Sequence, residues 1–215
     1  MSDHIKLEQL ASILSVLKLA EKLKFELRHS WLSNGRQESV AEHTWRMSLM
    51  AVLLEPVLDE KVDLARLLKM IIIHDLVEAE AGDVSVLDQI RNPEIKKLKQ
   101  QNEEKAILRI REMLETTNGQ EIYDLFYEFE EKETFEAKVA NAIDKLEVQL
   151  QHNHADISTW EEIEHDLSFV IGKHAQFDRT MTMLKDLIEQ QAEQKLEDAG
   201  LNVSEIRARA IAAFG

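Results

Sequence analysis

The sequence predicts an all-α fold. Apolar residues recur at helical spacing along most of the 215 residues, and only 6 Gly and 2 Pro are present to make turns. A sheet-rich chain of this length needs many more such breakers. Several segments also open on helix-capping patterns. Hydrophobic residues make up 44% of the chain, which excludes a disordered one and allows one large domain over 1–215.

Taken in order, Leu10, Ile13, Leu14, Leu17, Ala20 and Leu23 mark an amphipathic helix over 5–27. Residues 28–38 break the period, and Ser33-Asn34-Gly35 reads as a turn. Ser39-Val40-Ala41-Glu42 is a capping box for a helix running to about Leu54, before Pro56. Lys61 or Asp63 opens the next helix, which carries Met70-Ile71-Ile72-Ile73 into His74-Asp75 and stops near Gly82. Asn92-Pro93-Glu94 gives a cap and a first-turn proline for a charged, largely solvated helix to Leu114. Thr117-Asn118-Gly119 ends it. Helices are then expected over 121–129, 134–152, 158–191 and 203–214, with no strand and no repeat.

Composition narrows the chemistry. A formal net charge of -15 argues against binding a nucleic acid polymer, because neutralising phosphates takes clustered Lys and Arg. A small phosphorylated substrate in a locally basic pocket stays compatible. No apolar run approaches the length of a membrane span, and no signal peptide is evident, so the cytosol is the expected compartment. With no Cys, a metal must be held by imidazole and carboxylate, which suit Mn, Co, Mg, Zn, Fe or Ni.

His43, His74, Asp75 and Asp144 form such a set. His74-Asp75 follows four large apolar residues, and Asp144 interrupts the stripe Val139, Ala142, Ile143, Leu146. Ionisable groups in such settings are paired or bind an ion. Neighbours on a helix differ by about 100° in direction, so His74 and Asp75 can flank one ion, with His43 and Asp144 supplied by other helices. Glu78, one turn on, suits proton transfer, and Asp83 follows Gly82 in the next loop. Each residue alone has a plainer reading. A lone His is more often a hydrogen-bonded core residue, and Asp144 alone could pair with Lys or Arg. His152 and His154 read as surface residues, and His29, His165 and His174 have no supporting pattern. Glu103-Glu104 and Glu161-Glu162 read as solvated faces.

In order and spacing, Glu38-Ser39-Val40-Ala41-Glu42-His43, His74-Asp75-Leu76-Val77-Glu78 with Gly82-Asp83, and Asp144-Lys145-Leu146-Glu147 resemble the HD-domain superfamily of metal-dependent phosphohydrolases. Within it, the chain is most similar to the branch of bacterial deoxynucleoside 5'-monophosphatases. The resemblance spans about 28–150. It implies an orthogonal multi-helix bundle and one divalent ion on His43, His74, Asp75 and Asp144. It also implies that Glu78 assists the attacking water and that Asp83 holds substrate or water. Arg28 and Trp31 are the implied contacts to phosphate and sugar, with Arg36 competing for the phosphate and Trp31 equally readable as a core or lid aromatic. The implied activity is phosphate release from nucleoside 5'-monophosphates, deoxy forms favoured. The alternatives are hydrolysis of dNTPs, cyclic nucleotides or guanosine polyphosphates, or a non-catalytic nucleotide-binding domain with a structural metal. The helix over 158–191 and the apolar tail Ile206 to Phe214 are expected to pack on the bundle or on a second copy, giving a homodimer.

Overall fold

The most enclosed element of the computed structural model, in which residues 3–214 are described, is a helix that carries two carboxylates inside it. Helix α8 (Phe135–His154) buries Val139, Ala140, Ala142, Ile143 and Leu146 together with Asp144 and Glu147. Thr134 caps it, its hydroxyl accepting from the Ala137 amide at 3.2 Å. Around it stand α2 (Val40–Leu54), α3 (Leu64–His74), α7 (Gly119–Glu131) and α10 (Arg179–Asp198). Their shared core includes Met47, Leu67, Met70, Ile71, Ile143 and Leu146.

A second apolar cluster joins Val40, Leu76 and Val77 to Ala106, Ile107 and Ile110 of α6 (Pro93–Met113). The sequence reading of α6 as largely solvated therefore holds for its first half and fails for its second. A third cluster packs Trp160 and Val203 and Ile206 of α11 (Val203–Phe214) on Ala192 and Leu196 of α10. No helix is long and apolar enough to cross a membrane among the described residues.

The fold is helical as expected, with four corrections of detail. First, α1 (Asp3–Ala20) ends early in a 3-10 turn over Glu21–Lys24. Its stripe is not covered by the fold: Leu10, Leu14 and Leu17 are 56, 66 and 60% exposed. Second, the break after α1 is a hairpin. Strands β1 (Leu27–Trp31) and β2 (Gln37–Ser39) run antiparallel with Leu27 opposite Ser39 and Trp31 opposite Gln37. The expected turn closes it, with Gly35 at φ 84° and the Leu32 amide donating to the Arg36 carbonyl at 2.7 Å. These strands lack the β-branched alternation that announces a strand, so the sequence shows only the turn.

Third, α3 stops at His74. A turn through Asp75–Val77 leads into the short α4 (Glu78–Ala81), ended by Gly82 at φ 77°, and α5 (Val86–Arg91) follows unannounced. Glu78 is thus not on a continuation of α3. Fourth, the single helix expected over 158–191 is divided into 3-10 turns at Ile157–Thr159 and Ile171–Ala175, α9 (Glu162–Leu167) and α10. Asp178 caps α10 by accepting from the Met181 amide at 2.9 Å, which fixes a new start inside a stretch that periodicity alone runs together.

The capping box of α2 forms. The Ser39 hydroxyl accepts from the Glu42 amide at 3.3 Å, and a Glu42 oxygen accepts from the Ser39 amide at 2.9 Å. Arg36 grips the same carboxylate, Nη2 to Oε1 at 2.6 Å. The Arg36 hydrogen bond, aided by those from Ser39, holds the Glu42 carboxyl down at about 2. A depressed carboxyl stabilises the fold above its ordinary value of 4.5 and loses that contribution as pH falls toward about 2. Glu42→Ala should therefore cost about 1 kcal/mol at neutral pH, the scale of a lost helix-capping interaction. In urea unfolding, the gap from the unmodified protein should narrow as pH falls through that window.

Candidate metal centre

Three elements, α2, α3 and α8, carry His43, His74, Asp75 and Asp144. His43 lies in the first turn of α2, placed by the capping box. His74 is the last residue of α3, Asp75 is its C-cap, and Asp144 sits midway along α8. His43 and His74 are buried, with ring centroids 5.8 Å apart. The Nε2 of His43 lies 3.2 Å from Asp144 Oδ1 and 4.0 Å from Asp75 Oδ2, and the Nε2 of His74 lies 3.1 Å from Asp75 Oδ2. One ligand atom each from His43, His74 and Asp75 falls within a 4.8 Å span. Ligands on one ion, with bonds of about 2.0–2.2 Å, stand about 3–4 Å apart.

The far nitrogens decide how the rings are used. His74 Nδ1 is 2.7 Å from the Ile71 carbonyl, which can only accept, so Nδ1 carries the proton and Nε2 presents a lone pair. His43 Nδ1 is bonded to the buried carboxylate of Glu147, whose other oxygen accepts from Arg46 Nε at 2.6 Å. This is the carboxylate–imidazole arrangement that orients a metal-binding histidine. Both Nε2 atoms are buried without a hydrogen-bond partner. Two buried imidazole nitrogens without a hydrogen-bond partner, facing two carboxylates, fit a divalent cation.

Electrostatics give the same answer. Burial opposes the charge on Asp144 and Asp75. Lys145 and His43 nevertheless hold Asp144 well below the carboxylate range, and His74 and Arg28 do the same for Asp75. Burial and Arg28 disfavour the His43 imidazolium, yet Glu147 and Asp144 outweigh both and lift it to about 9. The carboxylates demand a cation, and metal binding here must displace a proton. Further out the balance reverses: burial pushes Glu38 up to about 7 and raises Glu78 and Asp83.

The remaining expected residues divide. Arg28 is at the centre, its Nη1 3.5 Å from Asp75 Oδ2 and its Nε 3.6 Å from the buried Glu38. Glu78 is buried. One of its oxygens is 3.5 Å from Lys99 Nζ, and the other has no partner. Asp83 is placed by the Gly82 turn, its amide donating to Glu26 at 3.0 Å, and its carboxyl feels Arg28 and Asp75. Trp31 turns its ring edge-on to His29 at 4.9 Å, and Arg36 is engaged by Glu42 at the surface. Neither is brought to the ligand cluster as Arg28 is.

Sequence reasoning gave no role to Glu147, Arg46, Glu38 or Lys99. Glu147 had a usable signal, since it lies one turn beyond Asp144 on an otherwise apolar face. The others are set by contacts between elements. Asp75 and Asp144 keep 16 and 11% of their side chains exposed, so the cluster has an open side. Glu147→Gln should weaken metal affinity about 10–100-fold, the usual cost of losing an orienting partner. Competition with a chelator measures this.

Residues 20–185 match the model of an HD domain family. A Dictyostelium discoideum protein named 5'-deoxynucleotidase HDDC2 is 33% identical over 178 residues, 80% of this chain and 89% of that one. The human protein of the same name is 31% identical over 156 residues, covering 72 and 71%. A crystal structure from Magnetospirillum magnetotacticum, described as a predicted metal-dependent phosphohydrolase, superposes with a TM-score of 0.73 at 28% identity, over 90% of this chain and 98% of the other. With that match and the His43, His74–Asp75 and Asp144 cluster at its centre, the chain belongs to the HD domain family.

Proposed function

We propose that this chain is a divalent-metal-dependent phosphomonoesterase that releases phosphate from nucleoside 5'-monophosphates, deoxy forms favoured. The observation that carries the reading is the pair of orphaned imidazole nitrogens facing Asp75 and Asp144 in a site with an open side. A purely structural ion would be closed off by its ligands. The relatives named 5'-deoxynucleotidase support the nucleotide and the sugar.

His43, His74, Asp75 and Asp144 would hold one ion, of the class Mn, Co, Mg, Zn, Fe or Ni. Bound there, such an ion supplies a polarised phosphoryl oxygen and a water acidic enough to attack near neutral pH. The protein's own residues do the rest. Arg28 pairs with Asp75 and Glu38 and directs its guanidinium into the cluster, where it can take a phosphate oxygen. Glu78 has one oxygen without a partner and stands beside Lys99, which suits it to hand a proton to the leaving 5'-oxygen. Asp83 is held at the rim by the Gly82 turn and serves to position substrate or water.

The cations nearest the cluster are already matched to carboxylates: Arg28 to Asp75, Lys145 to Asp144 and Lys99 to Glu78. A polyphosphate would need more positive charge than this, so the reading favours monophosphates. We infer a homodimer as well. Leu7, Leu10, Leu14 and Leu17 of α1 form a stripe 56–67% exposed, and Met183 and Leu187 of α10 are 57 and 58% exposed. Light scattering should give twice the chain mass at micromolar concentration.

Asp75→Ala should abolish metal-dependent phosphate release from dAMP and dGMP, and full activity would reject the reading. Glu78→Gln should keep its metal and lose about 10²–10⁴-fold in kcat, the usual worth of a general acid. On a panel of dAMP, dADP and dATP, the monophosphate should be the best substrate.

A further inference from the structure

Glu78 opens α4, a helix of a single turn, and is 3% exposed. One turn has too few backbone hydrogen bonds to hold itself, so the direction of its first side chain is set from outside. Two cations reach α4 from α6. Arg109 meets Glu80 at 3.0 Å, with the arginine side chain 68% exposed. Lys99 meets Glu78 in the interior, its Nζ 3.5 Å from Oε1 and its side chain 18% exposed. A solvated pair of the first kind contributes little. In a buried pair, either charge left alone is costly, so the two hold each other in place.

Lys99 is itself anchored. Its ammonium is hydrogen-bonded to Glu103, one turn along α6, whose side chain is 15% exposed. The sequence reading of Glu103 as a solvated face therefore fails. Burial opposes the charge on Lys99, but Glu103 and Glu78 outweigh it and hold the ammonium protonated above the ordinary lysine range. Glu103 thus fixes the lysine, and the lysine draws one oxygen of Glu78. The other oxygen, Oε2, is buried without a partner. A carboxyl group drawn to a cation through one oxygen carries its proton on the other.

We propose, on the phosphomonoesterase reading above, that Lys99 anchored by Glu103 is a positioning residue that makes Oε2 of Glu78 the proton donor to the leaving 5'-oxygen. In that step the oxygen of water joins phosphorus and the P–O5' bond breaks. Its electron pair stays on the 5'-oxygen and takes the Oε2 proton. Glu78 is left anionic beside the ammonium, and a proton from the phosphate product restores it.

The test compares dAMP with its analogue carrying sulfur in place of the bridging 5'-oxygen. A thiolate leaves without a proton, whereas an alkoxide needs one. Lys99→Met should lower kcat on dAMP about 10²-fold, the cost of a catalytic group displaced by about an ångström. KM should stay unchanged, as should kcat on the sulfur analogue. Lys99→Arg, which keeps the charge, should recover most of the loss. Glu103→Gln, which keeps the shape and loosens the anchor, should show a smaller loss with the same dependence on the leaving atom. Added to Glu78→Gln, Lys99→Met should cost nothing further, because the two act as one unit. Arg109→Ala, at the exposed bridge between the same helices, should match the unmodified protein on both substrates. Circular dichroism checks that each variant folds. Equal losses on both substrates in the folded variants, a loss confined to KM, or an additive loss with Glu78→Gln would each overturn the proposal. No phosphate release from either substrate by the unmodified protein would instead reject the phosphomonoesterase reading, and this role with it.

Discussion

Carboxylates on the inside of a helical bundle are the constraint around which this protein is arranged. Asp144 and Glu147 sit on α8, the helix covered on nearly every side, and neither can stay charged there without a cation in contact. Glu147 is answered by Arg46 and by the proton on His43 Nδ1. Asp144 is answered by Lys145 at 2.9 Å and by His43, whose Nε2 lies 3.2 Å from its other oxygen. The remaining demand, shared with Asp75, fits a divalent ion. The positions of α2, α3 and α8 follow from bringing those side chains to one point.

The same constraint explains the short and broken elements around the site. Had α3 continued past His74, Glu78 would lie one turn further along the same face, about 6 Å away along the axis. Stopping at His74 and restarting at Glu78 keeps both carboxylates facing inward. Gly82, at φ 77°, then reverses the chain and delivers Asp83 to the same region. The hairpin does this for Arg28, holding its guanidinium between Asp75 and Glu38 where a helix would have set it by rotation alone.

Much of the fold was legible because helices advertise themselves by period and cap. Ser39, Asp63, Asn92 and Thr134 each cap the helix they announced, and Pro93 stands in the first turn of α6. Asp144 was legible because a charge interrupts an apolar stripe. What stayed hidden depends on contacts distant in sequence. Arg46 has no sequence signal, and Glu38 has no assigned role, until α2 and β2 meet α8. Lys99 is one lysine among several on α6 until α4 packs beside it. His152, expected at the surface, is buried, and His29, far from it in the chain, meets the same Glu164 oxygen. The exposed stripe of α1 is the converse case, since its spacing marks a helix and says nothing of what covers it.

The most direct test of the account is anomalous diffraction from crystals grown with Mn²⁺ or Co²⁺. A peak is predicted within about 2.0–2.3 Å of His43 Nε2, His74 Nε2, an Asp75 oxygen and Asp144 Oδ1 together. A metal-loaded protein with no peak between the two imidazoles, or with the ion held by only one of the two histidines, would contradict it.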